Sequence, residues 1–181
     1  TFNRRLDYLR VSVTDKCNLR CVYCMPPGGV EFLPHDEVLR IEEFVRLIGI
    51  FAGLGVRKIR FTGGEPLVRK GFMGIVGQVR RNHPEMDLCL TTNGILLDEV
   101  IEDLRRFGVR KLNISLDTMS AGRYRAITRR DEFDRVIGNI VKALESRFFD
   151  LKINMVLDDE LLVELDDFLR FFAGKDVTLR F

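Results

Sequence analysis

No apolar run in the chain is long enough to span a bilayer, which excludes a membrane-spanning helix. Charge of one sign is also missing: 29 Lys and Arg stand against 27 Asp and Glu, a formal net charge of +2. That balance argues against nucleic acid or a membrane surface as the main partner, so any basic function must lie in where the charges are placed. Internal repeats and low-complexity tracts are lacking, which sets aside solenoid and disordered architectures. Nothing resembles a targeting segment, and a cytosolic location is the expectation. With 46% apolar and 31% charged residues over 181 positions, the composition is that of one globular domain with room for a good core.

Cysteine is scarce but concentrated. Of four cysteines, Cys17, Cys21 and Cys24 fall within eight positions as C-x3-C-x2-C. That spacing is too tight for a structural staple and suits thiolates converging on one metal centre. A disulfide framework is disfavoured, because a chain of this length builds a core without staples and no secretory signal precedes the cysteines. Zinc completed by His35 would need a spacing outside the common finger patterns. Cys89 stands in an apolar run and reads as a buried, inert thiol. Three protein ligands are one short of what a four-iron cluster takes. One iron is then left for substrate or cofactor, so the count points to chemistry rather than scaffolding.

Taken in order, strand-like and helix-like segments alternate. The pattern predicts strands over Tyr8 to Thr14, Arg57 to Thr62, Asp87 to Thr92, Lys111 to Leu116, Leu151 to Leu157 and Val177 to Phe181. Helices are predicted over about Ile41 to Leu54, Gly71 to Arg81, Leu97 to Phe107, Phe133 to Glu145 and Leu161 to Phe172, the second weakened by Gly74 and Gly77. Such alternation predicts a parallel sheet of βαβ units.

Side-chain parity chooses among the parallel architectures. One face of the strands carries Arg10, Ser12, Lys58, Arg60, Thr62, Cys89, Thr91, Asn113, Ser115, Lys152, Asn154, Thr178 and Arg180. The other carries residues such as Val11, Ile59, Phe61, Leu88, Leu90, Leu112, Ile114, Ile153, Met155, Leu179 and Phe181. Central strands of a doubly wound sheet are apolar on both faces, and a closed eight-stranded barrel fills its interior with branched apolar side chains. Neither pattern is present. The expectation is an α/β fold: a partial (β/α)6 TIM-like barrel of parallel strands with helices outside and an open, polar lumen. Five inward cations from four strands call for a polyanion, and a triphosphate fits them, with Thr91 orienting a sugar or phosphate oxygen. At the end of the second strand, Gly63-Gly64-Glu65-Pro66 allows close backbone approach, and Glu65 is placed to accept from an ammonium group.

The cysteine spacing, with Tyr23 just before the last cysteine, and the Gly-Gly-Glu-Pro turn resemble the signatures of radical S-adenosylmethionine (SAM) enzymes. Within them, Leu9 to Cys21 and the following Cys-Met-Pro, Arg60 to Leu67, Leu90 to Gly94, Asn113 to Asp117 and Ala126 to Arg130 are similar to the GTP 3′,8-cyclase family of molybdenum cofactor biosynthesis. The likeness covers nearly the whole chain. It implies that Cys17, Cys21 and Cys24 ligate a [4Fe–4S] cluster whose open iron chelates SAM, and that Tyr23, Gly64 and Ser115 contact SAM. It also implies that Arg10, Arg60, Thr91 and Lys152 contact GTP. Lys58 and Arg180 share the inward parity and are added as candidate phosphate ligands.

The implied reaction is reductive cleavage of SAM to a 5′-deoxyadenosyl radical, which takes hydrogen from C3′ of GTP. The ribose then closes onto C8 of guanine, and no side chain acts as an acid or base in the first step. The partners so implied are GTP and a low-potential electron donor, with no membrane or nucleic acid and a monomer or homodimer as the assembly. Cyclases of this family are longer and carry a second three-cysteine cluster. The expectation is therefore that 1–181 is the radical SAM core of a longer parent chain, weak or inactive alone, the alternative being a relative that has lost the guanine site. A relative acting on a peptide or another substrate would share the loop and the turn without needing the inward cations.

Overall fold

The computed structural model describes residues 6–26, 28–34 and 37–181; His35, considered above as a zinc ligand, lies outside them. Six strands form one parallel sheet: β1 (Tyr8–Ser12), β2 (Lys58–Thr62), β3 (Asp87–Thr92), β4 (Lys111–Ser115), β5 (Asp150–Asn154) and β6 (Val177–Arg180). Their spatial order is their order in sequence. An order that never reverses sends every crossover the same way and stacks the connecting segments on one face, as in a barrel and unlike a doubly wound sheet. The connectors are α1 (Ile41–Gly53), α2 (Phe72–Asn82), α3 (Leu97–Arg106), α4 (Ala121–Thr128), α5 (Phe133–Glu145) and α6 (Asp159–Phe172). The architecture is a partial (β/α)6 barrel open between β1 and β6. No helix among the described residues is long and apolar enough to cross a membrane.

The predicted apolar parity is the one that meets the helices. Ile59, Phe61, Leu88, Leu90, Leu112, Ile114, Leu151 and Ile153 are fully or almost fully buried in one core with Phe44, Ile48, Ile75, Val76, Leu104, Val136 and Ile140 of the helices. In α1 the buried Phe44, Ile48 and Ala52 recur every four residues, and Glu43 caps the start by accepting from the Arg40 amide at 2.7 Å. The two glycines of α2 part company. A Cβ on Gly77 would lie 2.9 Å from the Phe107 ring, so this glycine lets α2 and α3 approach closely, whereas Gly74 faces open space.

Some boundaries differ from those predicted. β1 ends at Ser12 and β5 at Asn154, because the residues that follow turn into the site: the Val156 amide leaves the ladder and donates to Asp117 Oδ1 at 2.9 Å. Phe181, predicted to continue β6 on its apolar face, lies beyond the strand and is exposed at the lumen rim. Helix α4 was not predicted. It buries only Tyr124 and Thr128, too few positions to make a helical stripe, and Ser120 caps it by accepting from the Arg123 amide.

Candidate functional site

The inward face of the sheet bounds two adjoining cavities that share Thr91, Asn154 and Met155. The one at the C-terminal ends of the strands has a volume of about 380 Å³ and is lined by Cys17, Cys21, Cys24, Tyr23, Gly64 and Ser115 among others. The one deeper in the lumen, about 470 Å³, is lined by Tyr8, Arg10, Lys58, Arg60, Thr91, Asn113, Lys152 and Arg180 among others. The cluster, SAM and GTP candidates singled out from the sequence thus divide between neighbouring chambers: the three thiols with Tyr23, Gly64 and Ser115 in the first, and Arg10, Lys58, Arg60, Lys152 and Arg180 in the second, with Thr91 at the junction.

The cysteine loop leaves β1 and is held as a rigid object. Its backbone pairs with the C-terminal turn of α4, the Arg20 amide donating to Thr128 O at 3.0 Å and the Val22 amide to Ile127 O at 2.9 Å. Buried Leu19 and Met25 anchor it. Three guanidiniums then collar it: Arg20 donates to the carbonyls of Cys17 and Leu19, Arg129 to those of Arg20 and Met25, and Arg130 to that of Asn18. Their partners here are carbonyls rather than carboxylates, so the positive charge is not cancelled beside the thiols. Burial is the main influence pushing the Cys21 thiol up to about 11, with the neighbouring Cys24 and Cys17 adding to it. Burial likewise raises Cys17. Cys17 and Cys21, disfavoured as bare thiolates, share one chamber with Cys24, and the set suits a multi-iron cation. Among the described residues no three His, Cys, Asp or Glu side chains converge as a single metal ion requires.

The Gly-Gly-Glu-Pro turn is built against the start of this loop. Gly63 has φ +143°, and a Cβ there would lie 2.3 Å from the Thr14 carbonyl oxygen; one on Gly64 would lie 2.4 Å from that of Lys16. Both glycines are thus required by contact with the chain's own backbone. The contact is fastened by the Gly64 amide donating to Thr14 O and the Glu65 amide to Lys16 O, each at 2.8 Å. Glu65 differs from expectation. Its carboxylate is 1% exposed and is committed to three protein donors: the Leu67 amide, the Thr92 hydroxyl and the Asn93 amide, at 3.0, 2.8 and 2.6 Å. Burial raises its pKa while those donors pull the other way. Glu65 therefore ties the turn to the end of β3, which takes up most of the accepting capacity of a carboxylate that also lines the chamber. From there the Asn93 side chain reaches back to Asn18 Oδ1 at 2.7 Å, closing a circuit between turn, β3 and cysteine loop.

Two further residues shape the upper chamber without having been assigned a role. Asp117 accepts from the Tyr23 hydroxyl at 2.5 Å and from the Val156 amide at 2.9 Å, strapping the cysteine loop to the segment after β5. Tyr124 is buried in the chamber wall, and its hydroxyl has no hydrogen-bond partner among the described residues. Asp117 lies in a stretch quoted for its likeness, but the segments it joins are distant in sequence.

In the lower chamber Arg10, Lys58, Arg60, Lys152 and Arg180 face one space, and among the described residues none has a carboxylate within ion-pair distance. Lys111, on the Arg60 rung, does: Asp87 holds it at 2.6 Å. Arg60 is buried and donates through Nη1 to Leu90 O at 3.2 Å and Thr91 Oγ1 at 3.4 Å, and through Nε to the Tyr8 hydroxyl at 3.0 Å. The Tyr8 ring also receives the Lys58 ammonium 5.2 Å from its centroid. Tyr8 therefore organises two cations. Its parity with Arg10 was the signal for it.

A family model described as the radical SAM superfamily matches residues 11–172. Curated relatives include GTP 3′,8-cyclases of Petrotoga mobilis, 44% identical over 99% of this chain, and of Geobacter sulfurreducens, 46% identical over 100% of it. The chain spans 56% of the length of each. Among solved structures it is similar to anSMEcpe with bound AdoMet, at a TM-score of 0.75 and 18% identity over 96% of this chain and 51% of that one. It is also similar to Streptococcus suis SuiB bound to the precursor peptide SuiA, at 0.73 and 20% over 90% and 36%. At those identities the structural likeness concerns the fold, which is the one the β1 to β6 order describes. With its cysteine loop, Gly-Gly turn and open parallel barrel in place, the chain belongs to the radical SAM superfamily.

Proposed function

We propose that this chain is the radical SAM core of a GTP 3′,8-cyclase acting in molybdenum cofactor biosynthesis. The observation that carries the reading is the lower chamber: five cations with no carboxylate partner among the described residues, directly beneath a cavity lined by three thiols. Cations confined without counter-charge are costly, and a triphosphate meets the cost with charge-assisted hydrogen bonds. The cyclase relatives, similar over essentially the whole chain, support the same substrate.

Superfamily membership brings a [4Fe–4S] cluster and SAM, and the donor set fits them. Cys17, Cys21 and Cys24 would hold the cluster. Tyr23, Gly64 and Ser115 would meet SAM, Gly64 through its carbonyl because its N–H is committed to Thr14. When bound, the pair supplies a 5′-deoxyadenosyl radical that abstracts hydrogen from the substrate sugar. The protein's part is placement. Arg10, Arg60 and Lys152 bind the phosphates, Thr91 orients an oxygen at the junction, and Lys58 and Arg180 add charge. No side chain serves as acid or base in the hydrogen abstraction, so rate depends on how closely the sugar is held to the radical source.

In this reading residues 1–181 form one domain and a longer parent carries the second three-cysteine cluster, which accords with the chain spanning 56% of its cyclase relatives. A low-potential electron donor serves it in the cytoplasm, and the protein works as a monomer or homodimer.

The test is anaerobic reconstitution with iron and sulfide, followed by reduction with SAM and assay of 5′-deoxyadenosine with and without GTP. Deoxyadenosine formation that rises with GTP is the expected result. Formation indifferent to GTP, in a parent-length protein as well as in this chain, would sink the cyclase reading.

A further inference from the structure

We propose that Asn113 reads the sugar of the nucleotide, its amide pairing with a ribose hydroxyl in the middle of the lumen. This rests on the reading of the lower chamber as a nucleoside triphosphate site. Asn113 is 6% exposed, lines that chamber and has its Oδ1 buried with no hydrogen-bond partner among the described residues. No residue among those described receives a bond from its Nδ2. Buried amides are ordinarily satisfied. An amide left idle inside a ligand chamber is therefore one whose partner arrives with the ligand.

Its position says which part of the ligand that is. Asn113 stands in register between Thr91 of β3 and Lys152 of β5. One rung toward the N-terminal ends is the row of Arg10, Arg60, Cys89 and Lys111, the last closed off by Asp87. One rung toward the C-terminal ends, about 6.6 Å away, are Ser115 and Asn154 in the wall of the cysteine chamber. Of the lumen cations, Lys58, Arg10 and Arg60 lie below Asn113, Lys152 is level with it and Arg180 is one rung above beside Asn154, so phosphates seated on the lower cations leave the radical source above them. The sugar that gives up its hydrogen must bridge the two, alongside Asn113.

The chemistry agrees. Phosphate oxygens only accept, and the surrounding Arg and Lys groups already donate. A hydroxyl both donates and accepts, matching an amide that offers an acceptor at one end and a donor at the other. Rotation of the amide by a half-turn brings either end to the lumen. A site with a buried polar group discriminates strongly against a ligand that lacks the matching hydroxyl, because the group is then left unpaired.

The experiment is equilibrium binding of GTP, 2′-deoxy-GTP and 3′-deoxy-GTP to the reconstituted protein with SAM present, for the wild type, Asn113→Ala and Arg60→Gln. The wild type is expected to bind GTP about 10-fold more tightly than one of the deoxynucleotides, the worth of one such hydrogen bond. In Asn113→Ala that preference should vanish, GTP falling to the affinity of the deoxynucleotide, whose own binding is unchanged. Thermal unfolding should drop little, since no protein hydrogen bond among the described residues is lost; Asn113→Ser serves if the alanine variant folds poorly. Asn113→Ala weakening all three ligands equally, or a wild type indifferent to both hydroxyls, overturns the sugar contact while leaving the phosphate site standing. Arg60→Gln leaving GTP affinity unchanged overturns the phosphate reading, and the sugar contact with it.

Discussion

At the upper end of the lumen almost every polar group that shapes the site is already bonded to the protein: Glu65 to three donors, Asp117 to Tyr23 and Val156, Asn93 to Asn18, and Arg20, Arg129 and Arg130 to the carbonyls of the cysteine loop. At the lower end the cations and Asn113 are largely idle, apart from the bonds of Arg60 to Tyr8, Leu90 and Thr91 and the stacking of Lys58 on Tyr8. The same sheet thus carries a mouth assembled in advance and a floor that waits for a ligand. Preassembly suits a cluster and cofactor that must sit in one orientation. An unsatisfied floor suits a substrate that enters, reacts and leaves.

The sharpest way to break this contrast is at the thiols. Cys17→Ala, Cys21→Ala and Cys24→Ala should each reduce cluster iron and sulfide to background with the fold intact, read by elemental analysis beside circular dichroism. Retention of a full iron complement in any one would remove that cysteine from the ligand set. Next comes Arg60→Glu, which replaces a charge-assisted contact worth about 1.5–3 kcal/mol with repulsion. GTP affinity should fall at least about 100-fold while SAM binding is kept, and loss of both together would mean that the two chambers are not separable.

Glu65→Ala should move stability more than binding, because it strands the Thr92 hydroxyl and the amides of Leu67 and Asn93 in the wall of the cysteine chamber. A loss on the order of 3 kcal/mol in urea unfolding is expected. A loss below about 0.5 kcal/mol would show that water substitutes for the carboxylate. The smallest effect belongs to the strap. Tyr23→Phe and Asp117→Asn should each cost about 1 kcal/mol, and the double variant less than their sum. Additive losses would mean that the Tyr23–Asp117 bond does not couple the cysteine loop to the β5–α6 segment.

Much of this was legible in the residue order, for reasons that are local. Strand parity put Arg10, Lys58, Arg60, Thr91, Lys152 and Arg180 on one face because a period of two needs no tertiary information. Cysteine spacing marked the loop because eight consecutive positions cannot reach far. Glu65 shows where such reading stops. Its type and place suggest a ligand for a cation, yet its oxygens are taken by residues more than 25 positions away, at Thr92 and Asn93. Helix α4 escaped for a similar reason: it earns its place by capping the cysteine loop with its last carbonyls, not by an apolar stripe.

The sequence by itself determined the parity of the strands, the three-thiol loop and the excess of inward cations, since these depend only on short spacings and side-chain chemistry. Only the tertiary structure decided which polar groups are spent and which are free. Glu65, Asp117 and the arginine collar are consumed in holding the mouth, while Asn113 and the lumen cations other than Arg60 have no hydrogen-bond or ion-pair partner among the described residues. The physical reason is that hydrogen-bond satisfaction belongs to pairs of groups brought together by the fold, and no residue carries it alone.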